Sequence, residues 1–72
     1  MNQLAILDFT KLRVIILSVS DKQYNKFCEV YDSNTEDWLC GEGLEDKLDI
    51  DISNIQYMWS SKFIHTEWEL HA

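Results

Sequence analysis

The stretch Lys26-Phe27-Cys28-Glu29-Val30-Tyr31-Asp32-Ser33-Asn34-Thr35-Glu36-Asp37-Trp38-Leu39-Cys40-Gly41 decides the fold. Two runs that alternate apolar and polar residues flank Asp32-Ser33-Asn34-Thr35. Asp, Ser and Asn form turns because their short side chains hydrogen-bond nearby backbone, and Asn tolerates a left-handed conformation. Val30 and Tyr31 before the turn and Trp38 after it suit a pleated, half-buried surface. The spacing predicts a β-hairpin with a three-residue loop at Ser33–Thr35, which sets Val30 opposite Trp38 and Cys28 opposite Cys40. All four then share one apolar face, because side chains alternate along a strand.

A competing pattern covers the first half of this stretch. Ser20 and Gln23 match a capping box. Tyr24, Phe27, Cys28 and Tyr31 follow at i, i+3, i+4 and i+7, an amphipathic helical stripe. The turn chemistry after Tyr31 favours the strand reading; a helix at 21–32 is the alternative.

Working outward, Lys11–Ser20 is the clearest strand. Leu12, Val14 and Ile16 alternate with Arg13, Ile15 and Leu17, so both faces carry apolar residues and the strand is expected to be central and covered. Met1–Thr10 fits an edge strand or a short helical turn. Gly41 and Gly43 mark the end of the hairpin or a bulge. Leu48, Ile50 and Ile52 alternate with Asp49 and Asp51 as a half-buried strand. Ser53 to Ser60 reads as a short helix or 3₁₀ turn, with Ser53 and Gln56 as a capping box. Lys62–Leu70 reads as a closing strand, with Ile64, Thr66, Trp68 and Leu70 inward and His65, Glu67 and Glu69 outward. The expected fold is mostly β: a small five-stranded barrel or curved antiparallel sheet, SH3-like or OB-like in size, with a helical turn near 53–60. The alternative is α+β.

Seventy-two residues make a single small acidic domain, 1–72, with a modest core. The apolar share of 46% suffices for that core and argues against disorder. The N-terminal run lacks a basic flank, and Asp8 interrupts it early. The aliphatic block Val14–Leu17 is far too short for a bilayer, and two cysteines are too few for a disulfide scaffold. A cytoplasmic protein with reduced thiols is the expectation.

The net charge of −7 makes nucleic acid and anionic membranes poor direct partners, because phosphate binding needs Lys and Arg. Most of that charge lies between Glu36 and Asp51. Seven carboxylates, Glu36, Asp37, Glu42, Glu45, Asp46, Asp49 and Asp51, face only Lys47 there. On a strand, Asp49 and Asp51 stand about 6.6–6.8 Å apart on one face. Such an array either solvates a small sheet and blunts its edge, or imitates the phosphates of a nucleic acid. Catalysis by a carboxylate pair requires burial to drive two pKa values apart, and these side chains point outward. Asp49-x-Asp51-x-Ser53 lacks the glycine and the bidentate glutamate of a calcium loop, since Asn54 and Ser60 stand there. Cys28, Cys40, His65 and His71 lack the close cysteine pair of a zinc site, and the two cysteines read as buried small hydrophobes.

Tyr57, Trp59, Phe63 and Trp68 enrich the last third in aromatics. Most belong in the core, whereas Tyr57 and Phe63 fall off the inward stripes and suit an exposed anchor patch. The expected function is a non-enzymatic acidic protein-binding module without cofactor or metal. In its concrete form it is an inhibitor that mimics nucleic acid and occupies the basic cleft of a nucleic-acid-binding protein. Glu36, Asp37, Glu42, Glu45, Asp46, Asp49 and Asp51 bind the partner, with Tyr57 and Phe63 as anchors. The alternative is a small scaffold or adaptor subunit that uses the aromatic patch.

Overall fold

The computed structural model of the chain describes residues 2–71. Met1 and Ala72 lie outside them, so the readings of Met1–Thr10 and of a domain over 1–72 are followed from Asn2 to His71. Strands β1 (Asn2–Asp8) and β2 (Arg13–Val19) form an antiparallel hairpin. Three helices follow: α1 (Asp21–Glu29), α2 (Thr35–Gly41) and α3 (Leu44–Leu48). A 3₁₀ turn (Ile52–Asn54) leads into β3 (Ile55–Ser60). The sheet is open, three-stranded and antiparallel, in the order β2-β1-β3. The fold is therefore the α+β alternative. A closed five-stranded barrel is not formed.

The register separates the sheet into two faces. Leu4 pairs with Leu17 and Trp59, Ile6 with Ile15 and Tyr57, and Asp8 with Arg13 and Ile55. Leu4, Ile6, Val19 and Ile55 are buried and join Phe27, Trp38, Leu39 and Ile50 in one core. The helices therefore cover this inner face. Trp59 on β3 joins sheet to helices: its ring centroid lies 4.7 Å from Phe27, 5.4 Å from Tyr24 and 5.6 Å from Trp38. Its indole N–H donates to the buried Thr35 hydroxyl at 3.0 Å. Each such aromatic pair contributes about 0.5–1.5 kcal/mol beyond its burial.

The Lys26–Gly41 hairpin is absent, although its turn signal holds. Asp32 and Ser33 adopt left-handed φ of 54° and 58°, and the Ser33 N–H donates to the Phe27 carbonyl at 3.0 Å. The turn joins two helices instead of two strands. Ser20 Oγ accepts the Gln23 N–H at 3.2 Å and Asn34 Oδ1 accepts the Asp37 N–H at 3.0 Å, so each helix has its own N-cap. An isolated two-stranded hairpin is only marginally stable. Two short helices lay Phe27, Trp38 and Leu39 onto an existing sheet, so burial favours them.

Five further expectations change. β1, read as an edge or a turn, is the central strand, and β2, read as central, is an edge. Leu48–Ile52 is no strand: Leu48 ends α3, Asp49 is left-handed (φ 53°) and Asp51 caps the 3₁₀ turn. Aspartate tolerates that conformation better than most residues, and here its carboxylate is bonded by Lys11. Over 53–60 only the first two residues are helical and the rest are β3, and Ser53 is capped by Asp51 rather than acting as a cap itself. Residues 61–71 form no strand, and Ile64, Trp68 and Leu70 are 86, 77 and 85% exposed. Strand alternation there is paired with no strand among the described residues.

Candidate functional site

The acidic residues sit on the helical layer and do not form one strand face. Glu36 and Asp37 occupy the exposed first turn of α2, where acids complement the helix dipole. Glu45, half-buried, and Asp46, exposed, begin α3. Glu42 is consumed internally: its carboxylate accepts the Tyr31 hydroxyl at 2.7 Å and meets Lys26 Nζ at 3.0 Å. The Tyr31 hydrogen bond, then that of Lys26, holds the Glu42 pKa below the ordinary value. The same hydrogen bonds to Glu42, more than its charge, raise the pKa of Lys26 and of Tyr31. Asp51 spends its carboxylate on the Ser53 N–H (3.0 Å) and hydroxyl (2.6 Å), and these bonds lower its pKa.

Asp49 belongs to a second polar knot that ties the β1–β2 turn to the end of α3. Asp8, buried to 2% exposure, accepts Arg13 Nε at 2.8 Å and the N–H groups of Thr10 (3.0 Å) and Lys11 (3.2 Å). The Arg13 hydrogen bond is the main reason that its pKa is lowered. The Arg13 guanidinium also donates to the carbonyls of Leu48 and Asp49. Lys11 Nζ bonds the Asp49 carboxylate, which lowers the Asp49 pKa, and the Asp49 carbonyl at 2.5 Å. With Lys26 on Glu42, three of the six cations thus brace the acidic stretch. Of the seven predicted acids, Glu36, Asp37 and Asp46 are the exposed ones not spent in this way.

The thiols are separated onto two helices. Cys28 is half-buried, and Cys40 is exposed rather than packed in the core. Cys40 Sγ donates to Glu45 at 3.3 Å, and that bond raises its pKa. His65 and His71 lie in the exposed segment 61–71, where His71 meets Glu69 at 3.1 Å. Among the described residues no three His, Cys, Asp or Glu side chains gather as a metal site. A shallow pocket of about 320 Å³ opens beside the end of β2, against Val19, Gln23, Trp38, Leu44 and Lys47. Trp38 Nε1 is buried without a hydrogen-bond partner among the described residues.

The predicted aromatic anchors are split. Tyr57 shares the inner face with Ile6 at the β3 edge and is exposed beside the α1–α2 loop. Phe63 is half-buried rather than exposed, and its N–H donates to the Gln3 side chain at 2.9 Å. Gln3 belongs to the opposite face, by alternation with Leu4.

That opposite, outer face is the feature sequence reasoning missed. It consists of three cross-strand rows: Val14–Leu7–Gln56, Ile16–Ala5–Met58 and Ser18–Gln3–Ser60. Val14 and Met58 are 63 and 61% exposed, and Leu7 and Ile16 are also exposed. Among the described residues no helix covers them. The available signal was the double-sided apolar pattern of Val14–Leu17, interpreted as a strand covered on both faces. Among the described residues no helix is long and apolar enough to cross a membrane. Comparison with family models, with curated proteins and with solved structures finds no match to this chain.

Proposed function

We propose that this chain is a non-enzymatic protein-binding module that docks through the outer face of its sheet. One observation carries this reading: Leu7, Val14, Ile16 and Met58 are exposed apolar residues on neighbouring rows of one sheet face. Contiguous apolar patches of this kind mark interaction surfaces, whereas scattered exposed apolar residues do not. It is the adaptor alternative, with the anchor moved from Tyr57 and Phe63 to the outer face of the sheet.

A second reading is supported by Glu36, Asp37 and Asp46, which remain exposed on the helical layer. In it, this acidic layer engages the basic cleft of a nucleic-acid-binding protein. Salt and mutation separate the two. Apolar docking persists in high salt and is lost in Val14→Lys, while Glu36→Lys with Asp37→Lys leaves it intact. A partner lost in the acid reversals, with steep salt dependence of the association rate, establishes the acidic reading instead.

A further inference from the structure

Resting on the reading of the outer face as a docking surface, we infer that its occupant is a second copy of this chain. The two copies meet sheet to sheet about a two-fold axis, each contributing the segment Phe63–Leu70 to the other.

Charge narrows the choice of surface. Two molecules of net charge −7 repel one another unless they approach through neutral ground. All nine residues of the three outer rows, from Val14 to Ser60, are uncharged. The helical layer, by contrast, carries Glu36, Asp37 and Asp46 exposed. The outer face is thus where self-contact incurs the least repulsion. A two-fold interface also needs a patch that complements itself. The middle row suits this, since small Ala5 lies between the larger Ile16 and Met58 and side-chain size alternates across the face.

Area shows why the terminal segment takes part. Three strands at about 4.8 Å spacing and six residues at about 3.4 Å rise give a footprint of roughly 300 Å². A stable interface buries roughly 800 Å² per partner, so the sheet face alone is too small. The segment brings the remainder. Ile64, Trp68 and Leu70 are almost fully exposed, and an aromatic such as Trp68 buries about 150–250 Å² when covered.

The segment is also patterned as a strand, with Ile64, Thr66, Trp68 and Leu70 on one side and His65, Glu67 and Glu69 on the other. It leaves the sheet at the Phe63–Gln3 hydrogen bond, next to the outer face. Both sheet edges, β2 and β3, lack a neighbouring strand among the described residues. Strand pattern without a partner edge, and edges without a strand, are reconciled by exchange between copies.

The test is sedimentation of the full chain across a concentration series up to about 100 μM. The expected result is a dimer that is weakened at least about tenfold by Val14→Lys and likewise by Trp68→Ser. Glu36→Lys with Asp37→Lys should leave it unchanged or tighter, as repulsion falls. Circular dichroism of each variant verifies the fold, and Met58→Lys replaces Val14→Lys if that variant unfolds. A dimer that survives both the sheet and the Trp68 substitutions overturns the inference. So does a wild-type monomer throughout the series, and an apolar dye then decides the fate of the parent reading. Dye bound by wild type and not by Val14→Lys leaves the face as a docking site for another protein. A monomer that binds no dye removes that reading as well.

Discussion

Gly41 lies against the ring of Tyr31 so closely that a Cβ on it would stand 2.5 Å from the ring. This contact sets the last turn of α2 against the start of the α1–α2 connection, where Tyr31 also donates to Glu42. Alanine normally gains about 0.5–1 kcal/mol over glycine inside a helix. Here the overlap wins, and Gly41→Ala should lose about 1–3 kcal/mol, the usual penalty of overpacking. Urea denaturation measures it. The same change in a Tyr31→Ala background should be neutral or stabilising, because the obstruction is gone.

The two N-caps test the helical reading of the central stretch. Ser20→Ala and Asn34→Ala should each cost about 1 kcal/mol, whereas Asn34→Gly should cost only a few tenths of that. An unchanged stability in Asn34→Ala would mean that the Asn34 side chain does not cap α2.

Stability should fall at both extremes of pH. Asp8, Glu42, Asp49 and Asp51 have depressed pKa values in the folded chain. Their contribution is complete above the unfolded values near about 4 and is lost as pH falls through the lower folded values. Tyr31 and Lys26 are raised, so theirs is complete below about 10 and is lost as pH rises through the folded values. Urea midpoints against pH measure both limbs. Asp8→Asn should flatten the acid limb and Tyr31→Phe the alkaline one; unchanged slopes would show that these groups do not set them.

Cys40 is exposed yet should react slowly with thiol reagents at neutral pH. Its hydrogen bond to Glu45 raises its pKa, and only the thiolate attacks. Glu45→Gln should speed modification severalfold at constant pH, read by absorbance with an aromatic disulfide. An unchanged rate would mean that access and not ionisation is limiting.

Local chemistry was legible in the sequence. Asp32-Ser33-Asn34 was a turn, Ser20 with Gln23 marked a helix start, and Val14–Leu17 lay in a strand. These signals survive because each rests on groups within a few residues: a side-chain oxygen on a nearby N–H, or β-branching on a pleated backbone. The stripe of Tyr24, Phe27, Cys28 and Tyr31 also lay in plain view, but the turn chemistry after Tyr31 outweighed it, and that turn joins helices as readily as strands. Leu48–Ile52 deceived for a different reason, since period-two spacing arises wherever aspartates punctuate a loop.

What joins to what was settled only in three dimensions. Lys26–Gly41 became two helices because an inner sheet face of Leu4, Ile6 and Val19 was there to receive Phe27, Trp38 and Leu39. β1 became central because it alone pairs on both edges, and Glu42 and Asp49 left the acidic array because Tyr31, Lys26 and Lys11 came within bonding distance. The bare outer face is likewise a tertiary fact. A strand's two stripes are written in sequence, but which stripe the helices cover depends on long-range packing, which favours the arrangement that buries the most apolar surface.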